Sequence, residues 1–255
     1  MYNYLMTFRK IRLVLVPIAL ALAGIGAYSS PAGKIILKNA RLAHLSGGIY
    51  YVGPEQFKTV QFPPPPAPDS AAQKEDLAAI LAWQKKRTKA DCAKADITAG
   101  LTYDSFWATD MIFPQPLPDE VKKFFDRLSS DLESAVTNMK NRYRRARPYK
   151  AYPGLAAPCI NKSRGYSYPS GHAVFSRVFA DVLTDIVPER KAGFFVIADE
   201  IARDRVIGGV HFPTDIAAGK VFADMYHAEL LKSPAYRKDL ERVKTFLVKQ
   251  QKPDK

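Results

Sequence analysis

The chain contains few of the residues that usually hold a metal ion. Its 255 residues include two cysteines and four histidines, with no Cys-x-x-Cys pair and no Cys/His cluster. This scarcity argues against a zinc site. Cys92 and Cys159 are consistent with an oxidising compartment. They predict one disulfide, and two buried free thiols are the alternative.

Acidic residues are also scarce relative to basic ones. The chain has 25 Asp and Glu against 38 Lys and Arg, a formal net charge of +13 and a pI of about 9.6. This charge fits an anionic partner or substrate, such as nucleic acid, an anionic membrane surface or a phosphate ester. Charge alone separates these classes weakly, because many basic proteins simply carry solvated Lys and Arg.

Only one long apolar run is present. It covers residues 13–27, follows three basic residues within 9–12, and leads into small residues at 27–30. This order is typical of a secretory signal peptide, and the run is short for a spanning helix, which needs about 20 apolar residues. We interpret residues 1–29 as a signal peptide or N-terminal anchor. The protein is then periplasmic or secreted, without stable membrane embedding unless the leader is uncleaved.

The rest of the chain has helical rather than strand periodicity. No convincing alternation of apolar and polar residues occurs, whereas apolar residues recur at three- and four-residue intervals after residue 69. In chain order, the predicted helices lie after Asp69 or Ser70, at 88–97, from Asp119 to near Arg147, from His172 to about residue 188, at 189–207, after Thr214, and at 234–249. We therefore expect an all-α, single-domain helical bundle over 69–250, preceded by an extended proline-rich arm over 30–68.

The stretch Tyr168-Pro169-Ser170-Gly171-His172 predicts a tight turn that leads directly into a helix. A helix start offers unpaired N–H groups and partial positive charge, so it attracts anions. A histidine at this place can also move a proton near neutral pH. Taken alone, an ordinary capped helix with a chance histidine explains the stretch better.

A basic segment precedes this turn in the chain. Lys140, Arg144 and Arg147 are spaced at i, i+4 and i+7, which predicts one face of a helix end. A solvated basic helix terminus, favoured by the helix dipole, is the alternative. Four cations within six positions nevertheless repel one another unless an anion lies nearby.

A third cluster follows the turn and contains Arg205, His211 and Asp215. An aspartate four residues after a histidine can reach one ring nitrogen, fix the tautomer, and leave the other nitrogen as a nucleophile. In isolation, a surface His–Asp pair is the default interpretation. The other two histidines, His44 and His227, lack such surroundings, and we interpret them as structural or surface residues.

Together the three clusters resemble the signature Lys-x6-Arg-Pro, Pro-Ser-Gly-His and Ser-Arg-x5-His-x3-Asp of the type 2 phosphatidic acid phosphatase superfamily, which includes vanadium haloperoxidases. The match covers residues 140–215 with the family's spacing and order. The fuller pattern Lys140-x-x-Tyr143-x-Arg145-x-Arg147-Pro148 is similar to bacterial class A non-specific acid phosphatases. One departure is Asp204, where the family usually has serine. This carboxylate either weakens anion affinity or points away.

The resemblance implies a helical bundle of the acid phosphatase/vanadium haloperoxidase type. It implies a secreted acid phosphatase that hydrolyses small-molecule phosphomonoesters through a phosphohistidine, with neither a metal nor a cofactor. Phosphate or vanadate analogues are expected to inhibit it. The implied catalytic residues are His211, His172 and Asp215, and the implied phosphate ligands are Lys140, Arg147, Ser170, Gly171 and Arg205.

Three alternatives to this function stay open. A vanadate-dependent haloperoxidase-like enzyme and a lipid or diphosphate phosphatase share the signature, although the former are typically longer and a membrane lipid phosphatase needs several spanning helices. A nucleic-acid binder fits the charge but leaves the two histidines unexplained, so we expect no nucleic-acid partner. The sequence permits a homo-oligomer without predicting one.

Overall fold

The computed structural model describes residues 48–100, 102–108 and 111–248, and this part of the chain contains helices and no strand. The α-helices are α1 (Ala71–Lys86), α2 (Lys89–Thr98), α3 (Asp119–Tyr143), α4 (Pro148–Ala151), α5 (Gly171–Ile186), α6 (Lys191–Ile207), α7 (Pro213–Lys232) and α8 (Pro234–Lys244). The predicted all-α fold is therefore confirmed. The proposed signal segment and the first part of the arm lie outside the described residues.

Local capping signals explain where the first helices begin. The Ser70 hydroxyl accepts the N–H of Gln73 at 3.2 Å and caps α1. Thr88 and Asp91 form a capping box at the start of α2. Proline stands at the first position of α4, α7 and α8, where its missing N–H costs no hydrogen bond.

Helix α5 lies at the centre of the bundle and packs against both α6 and α7. Its apolar face and that of α3 form the main core, whose α3 members are Val121, Phe124, Phe125, Leu128, Leu132, Ala135, Val136 and Met139. This is the stripe that the sequence predicts. None of the helices in the described ranges is long and apolar enough to cross a membrane.

The described part of the proline-rich arm packs on the bundle. The Asp131 carboxylate of α3 accepts the N–H of Tyr51 at 2.6 Å, and Phe62 is buried in the core. Further along, the Pro63 carbonyl accepts the Tyr168 hydroxyl at 2.6 Å. The arm therefore reaches the turn that precedes α5.

Helix α3 ends at Tyr143, four residues before the predicted end. Arg144 adopts a left-handed conformation with φ of 48°, and Arg147 is extended. The extended conformation of Arg147 follows from Pro148, which disfavours helix in the residue before it. The prediction that Arg144 shares one helix face with Lys140 and Arg147 is therefore wrong.

The structure contains the predicted disulfide, which joins Cys92 of α2 to Cys159 with an S–S distance of 2.11 Å. Cys159 lies in the loop between α4 and α5, and its N–H donates to the Gly208 carbonyl at the end of α6 at 3.1 Å. The disulfide and this hydrogen bond therefore tie α2 and α6 to the loop that leads into the Tyr168–His172 turn.

Candidate active site

The turn before α5 and the start of α7 meet directly. The N–H of Ser170 donates to the Asp215 carbonyl at 3.0 Å. Gly219 of α7 permits this approach, because a Cβ there would lie 2.9 Å from the Ser170 carbonyl oxygen and 2.8 Å from the Ala173 Cβ. The second and third motifs of the sequence are thus adjacent in the fold.

His211 is 1% exposed and has a different partner at each ring nitrogen. Its Nδ1 lies 3.3 Å from Asp215 Oδ2, and its Nε2 lies 3.1 Å from Arg147 Nη1. A carboxylate only accepts and a guanidinium only donates, so we assign the proton to Nδ1 and the lone pair to Nε2. Burial, with the charge of Arg147, holds the pKa of His211 well below its ordinary value. The ring is therefore neutral.

Asp215 accepts hydrogen bonds at both carboxylate oxygens. Oδ2 accepts the Ser167 hydroxyl at 2.5 Å, and Oδ1 accepts Nη1 of Arg145 at 2.6 Å. Burial raises the pKa of Asp215, but the hydrogen bonds and charges of its partners outweigh burial and lower this pKa to about 2. The carboxylate is therefore charged, and it fixes the orientation of His211.

Arg145 links this carboxylate to α1. Its Nη2 donates to Asp76 Oδ2 and to Gln73 Oε1, both at 2.6 Å, and its Nη1 donates to Thr214 Oγ1 at 2.7 Å. Arg145 thus forms buried ion pairs with Asp76 and Asp215 at once. Asp76, Gln73 and Ser167 are members of the site that no local sequence pattern marks.

Lys140 and Arg147 are held by neutral groups instead. The Lys140 ammonium donates to the carbonyls of Tyr166 and Pro169, both at 2.8 Å, and Arg147 Nε donates to the Gly165 carbonyl at 2.9 Å. Burial, with the charge of Arg147, lowers the pKa of Lys140 to about 7. Among the residues that the structure describes, no carboxylate forms an ion pair with either side chain.

His172 and Arg205 both bond to the C-terminal end of α2. His172 Nε2 lies 3.2 Å from the Ala99 carbonyl oxygen, and Arg205 Nη2 donates to Thr98 Oγ1 at 2.6 Å and to the Ala95 carbonyl. Burial, with the charge of Arg205, lowers the pKa of His172 to about 4. Burial lowers the pKa of Arg205 only to about 10, so its charge is retained.

Ser170 and Gly171 complete the set. Ser170 is fully buried and its hydroxyl caps α5, and a Cβ built on Gly171 would lie 3.8 Å from the Lys140 side chain. All eight predicted site residues therefore meet around one helix start. His227 instead pairs with Asp185 at 2.8 Å, and His44 lies outside the described residues.

The positive charge of this site comes from side chains. Within residues 48–100, 102–108 and 111–248, no group of three or more His, Cys, Asp or Glu side chains is arranged to hold a metal ion. The arrangement provides a neutral imidazole with an unprotonated Nε2, a second histidine, and buried cations. Such a site can bind and attack an anionic ester.

The fold is shared with a helical class of enzymes. A crystal structure of a holo-type bacterial vanadium-dependent chloroperoxidase superposes with a TM-score of 0.56 and 11% sequence identity, over 78% of this chain and 55% of that one. At this identity the likeness shows the fold alone.

Sequence comparison finds similarity to one family. The PAP2 superfamily model matches residues 129–238, which contain all three motifs. A relative from Providencia stuartii is 29% identical over 204 residues, covering 74% of this chain and 80% of the relative. One from Salmonella typhimurium is 27% identical over 208 residues, covering 76% and 82%. Both relatives are named non-specific acid phosphatase. The chain is therefore similar to the PAP2 superfamily over residues 129–238 and, over most of its length, to non-specific acid phosphatases.

Proposed function

We propose that this protein is an acid phosphatase, a phosphoric monoester hydrolase that acts through a phosphohistidine. The observation that carries the proposal is the neutral His211, whose Nε2 lone pair lies 3.1 Å from the Arg147 guanidinium. A nucleophile beside buried cations suits an anionic phosphorus centre. The relatives named non-specific acid phosphatase support the same activity.

In the first step, His211 Nε2 attacks phosphorus in line, a P–N bond forms, and the bond from phosphorus to the leaving oxygen breaks. His172 gives its proton to that oxygen, which departs as the alcohol. Asp215 stabilises the positive charge that develops on the His211 ring.

Positively charged and N–H groups stabilise the phosphoryl group as it is transferred. The groups proposed to hold its equatorial oxygens are Lys140, Arg147, Arg205, the Ser170 hydroxyl and the Gly171 N–H. Arginine suits this task because its planar fork donates two parallel hydrogen bonds to a phosphate.

In the second step, the now neutral His172 accepts a proton from water while the water oxygen attacks phosphorus. The P–N bond breaks, inorganic phosphate forms, and the lone pair returns to His211 Nε2. The reaction uses no electron donor or acceptor, and we propose that it needs no metal because the side chains supply the positive charge.

The pKa shifts of the two histidines favour turnover in acid. Because the pKa of His211 is well below its ordinary value, the nucleophile stays unprotonated as the pH falls. Because the pKa of His172 is lowered to about 4, its protonated form is lost as the pH rises above that value in the free protein. Both effects place the pH optimum of turnover on the acid side of neutrality.

A turnover assay on a panel of phosphomonoesters, with and without chelator, tests the function. We expect phosphate release at acid pH that is insensitive to chelator, competitively inhibited by inorganic phosphate or vanadate, and absent in His211→Ala. Absence of phosphate release from every ester would contradict the proposal. Halide oxidation with added vanadate would instead indicate a haloperoxidase, and turnover confined to lipid phosphates or diphosphates would indicate another phosphatase.

We also propose that the protein is periplasmic or secreted. The support is the basic-then-apolar order of residues 1–29 and the disulfide between Cys92 and Cys159. N-terminal sequencing of the native protein should find that the first 27–30 residues are missing. A native protein that begins at Met1 would instead indicate an anchor.

A further inference from the structure

Asp204 is a buried carboxylate directly before Arg205 in the chain, yet the two side chains are linked through the hydroxyl of a third residue, Thr98. Asp204 is 1% exposed, and its Oδ2 accepts the Thr98 hydroxyl at 3.0 Å. The same hydroxyl oxygen lies 2.6 Å from Arg205 Nη2. Within the part of the chain that the structure describes, the two charged side chains form no direct ion pair.

The chemistry of a hydroxyl fixes the direction of these hydrogen bonds. Thr98 Oγ1 has one proton and two lone pairs, whereas Arg205 can only donate. The hydroxyl proton must therefore point to Asp204 Oδ2 at 3.0 Å or to the Ala95 carbonyl at 3.2 Å. A carboxylate is the stronger acceptor. Asp204 thus takes the proton and leaves a lone pair of Thr98 facing the guanidinium.

The same contacts decide which edge of Arg205 is occupied. Its Nη2 donates to Thr98 Oγ1 and the Ala95 carbonyl, and its Nε donates to the Ile201 carbonyl at 3.3 Å. Among the described residues, no protein acceptor takes a hydrogen bond from Nη1. The Nη1 edge is therefore the one available to an anion.

Helix α2 supplies a fixed base for this arrangement. The last carbonyls of a helix lack helical partners and carry partial negative charge, so they favour cations such as Arg205. The helix is also tied in place, since Cys92 bonds to Cys159 and Lys94 pairs with Glu200 of α6 at 3.1 Å. Thr98 and Asp204 therefore lie on two helices that pack together.

We propose that Asp204 and Thr98 are positioning residues that hold the Nη2 edge of Arg205 and thereby direct its Nη1 edge toward phosphate. The inference rests on the proposed function, because it concerns how the site binds a phosphoryl group. It differs from both alternatives that the sequence left open for Asp204, since the carboxylate neither pairs with the anion-binding group nor points away from it.

The test compares variants that remove the hydrogen bonds with variants that keep them. Thr98→Val and Asp204→Ala should each lower kcat/KM for p-nitrophenyl phosphate about tenfold and raise the inhibition constant of inorganic phosphate by a similar factor. Thr98→Ser keeps the hydroxyl and should stay within about twofold of wild type. Asp204→Asn keeps an acceptor oxygen, although a weaker one, so it should lose less than Asp204→Ala. The double variant Thr98→Val/Asp204→Ala should lose no more than the worse single variant, because both changes break one chain of bonds.

Asp199→Asn is the matched control, because this exposed carboxylate of α6 pairs with Lys220 and should leave both constants unchanged. All assays are run well below the melting temperature of each variant. Asp204→Asn is nearly isosteric, so its phosphate affinity can still overturn the proposal where Asp204→Ala or Thr98→Val fails to fold. Tighter phosphate binding by Asp204→Asn would show that Asp204 acts through its charge. Losses of kcat/KM that multiply in the double variant would show that Thr98 and Asp204 act independently. Either result overturns the proposal.

Failure of the proposed function would look different. Wild-type protein would then neither hydrolyse p-nitrophenyl phosphate nor bind inorganic phosphate in a thermal-shift titration. If wild-type turnover and phosphate binding are normal and the folded Thr98→Val and Asp204→Ala variants match wild type, only the positioning roles are overturned.

Discussion

Removal of the Cys92–Cys159 disulfide should lower the free energy of unfolding by about 4 kcal/mol. The two cysteines are 67 residues apart in sequence, so the bond closes a long loop of the unfolded chain. In the chain-entropy model, a loop of this length contributes about 4 kcal/mol at 25 °C. The perturbation is Cys92→Ser/Cys159→Ser, which avoids leaving one reactive thiol.

Urea unfolding followed by the fluorescence of Trp83 and Trp107 measures this loss by linear extrapolation. Reduced wild-type protein is the control and should match the double variant. The same variant should also lose activity under conditions where it stays folded, because α2 carries both Cys92 and the hydrogen-bond acceptors of Arg205 and His172. A kcat/KM that falls several-fold at full folding is the expected result.

Two results would refute this reasoning. The first is a free energy of unfolding within about 1 kcal/mol of wild type, which would mean that the bond adds little to the constraint on the unfolded chain. The second is the titration of two thiols in the denatured, unreduced protein, which would mean that Cys92 and Cys159 are not bonded.

Three further predictions concern the site. His211→Ala should leave no trapped phosphoenzyme, whereas His172→Ala should accumulate one with a nitrophenyl ester, because general-acid help worth ~10²–10⁴-fold matters most for poor leaving groups. Phosphate trapped on His172 would reverse these roles. Arg145→Met should lower the free energy of unfolding by about 3–5 kcal/mol in urea titrations, because it leaves two buried carboxylates unpaired, one of them Asp76; a loss below about 1 kcal/mol would contradict this. For the nitrophenyl ester, kcat/KM should fall as the pH rises past about 7, where Lys140 loses its proton. Lys140→Arg should move this fall in kcat/KM to higher pH. A fall at the same pH in the variant would exclude Lys140 as its source.

The sequence predicts the features that local chemistry controls. Ser70 and Thr88 are good caps directly before helical patterns, and both begin helices in the structure. The motif residues are also local signals, since Asp215 follows His211 by four residues and reaches its ring nitrogen. Each of these predictions needs only residues that are close together in the chain.

The features that the sequence does not predict depend on partners far away in the chain. Asp76 reaches Arg145 across 69 positions, and Thr98 reaches Arg205 across 107. No spacing pattern encodes such contacts, because they arise only when α1 and α2 pack on the motif-bearing helices. The early end of α3 is different, since the extended conformation of Arg147 follows from its neighbour Pro148, and the chain must leave the helix before it.

The spacing of the basic segment also does not distinguish the roles of its cations, whereas their hydrogen-bond partners in the structure do. Arg145 lies between two carboxylates, so most of its charge is offset inside the protein. Lys140 and Arg147 are held by carbonyls, which orient a cation without cancelling its charge. Anion affinity therefore depends on what holds each cation rather than on the number of cations nearby.

The same rule applies to Asp204, which is a carboxylate rather than a cation. A carboxylate bonded directly to Arg205 would occupy its donors and cancel the charge that an anion needs. Placed one hydroxyl away, through Thr98, the carboxylate still directs the hydrogen bond that orients Arg205, while the Nη1 edge keeps its donors. A negative charge next to Arg205 is therefore compatible with the proposed phosphate site.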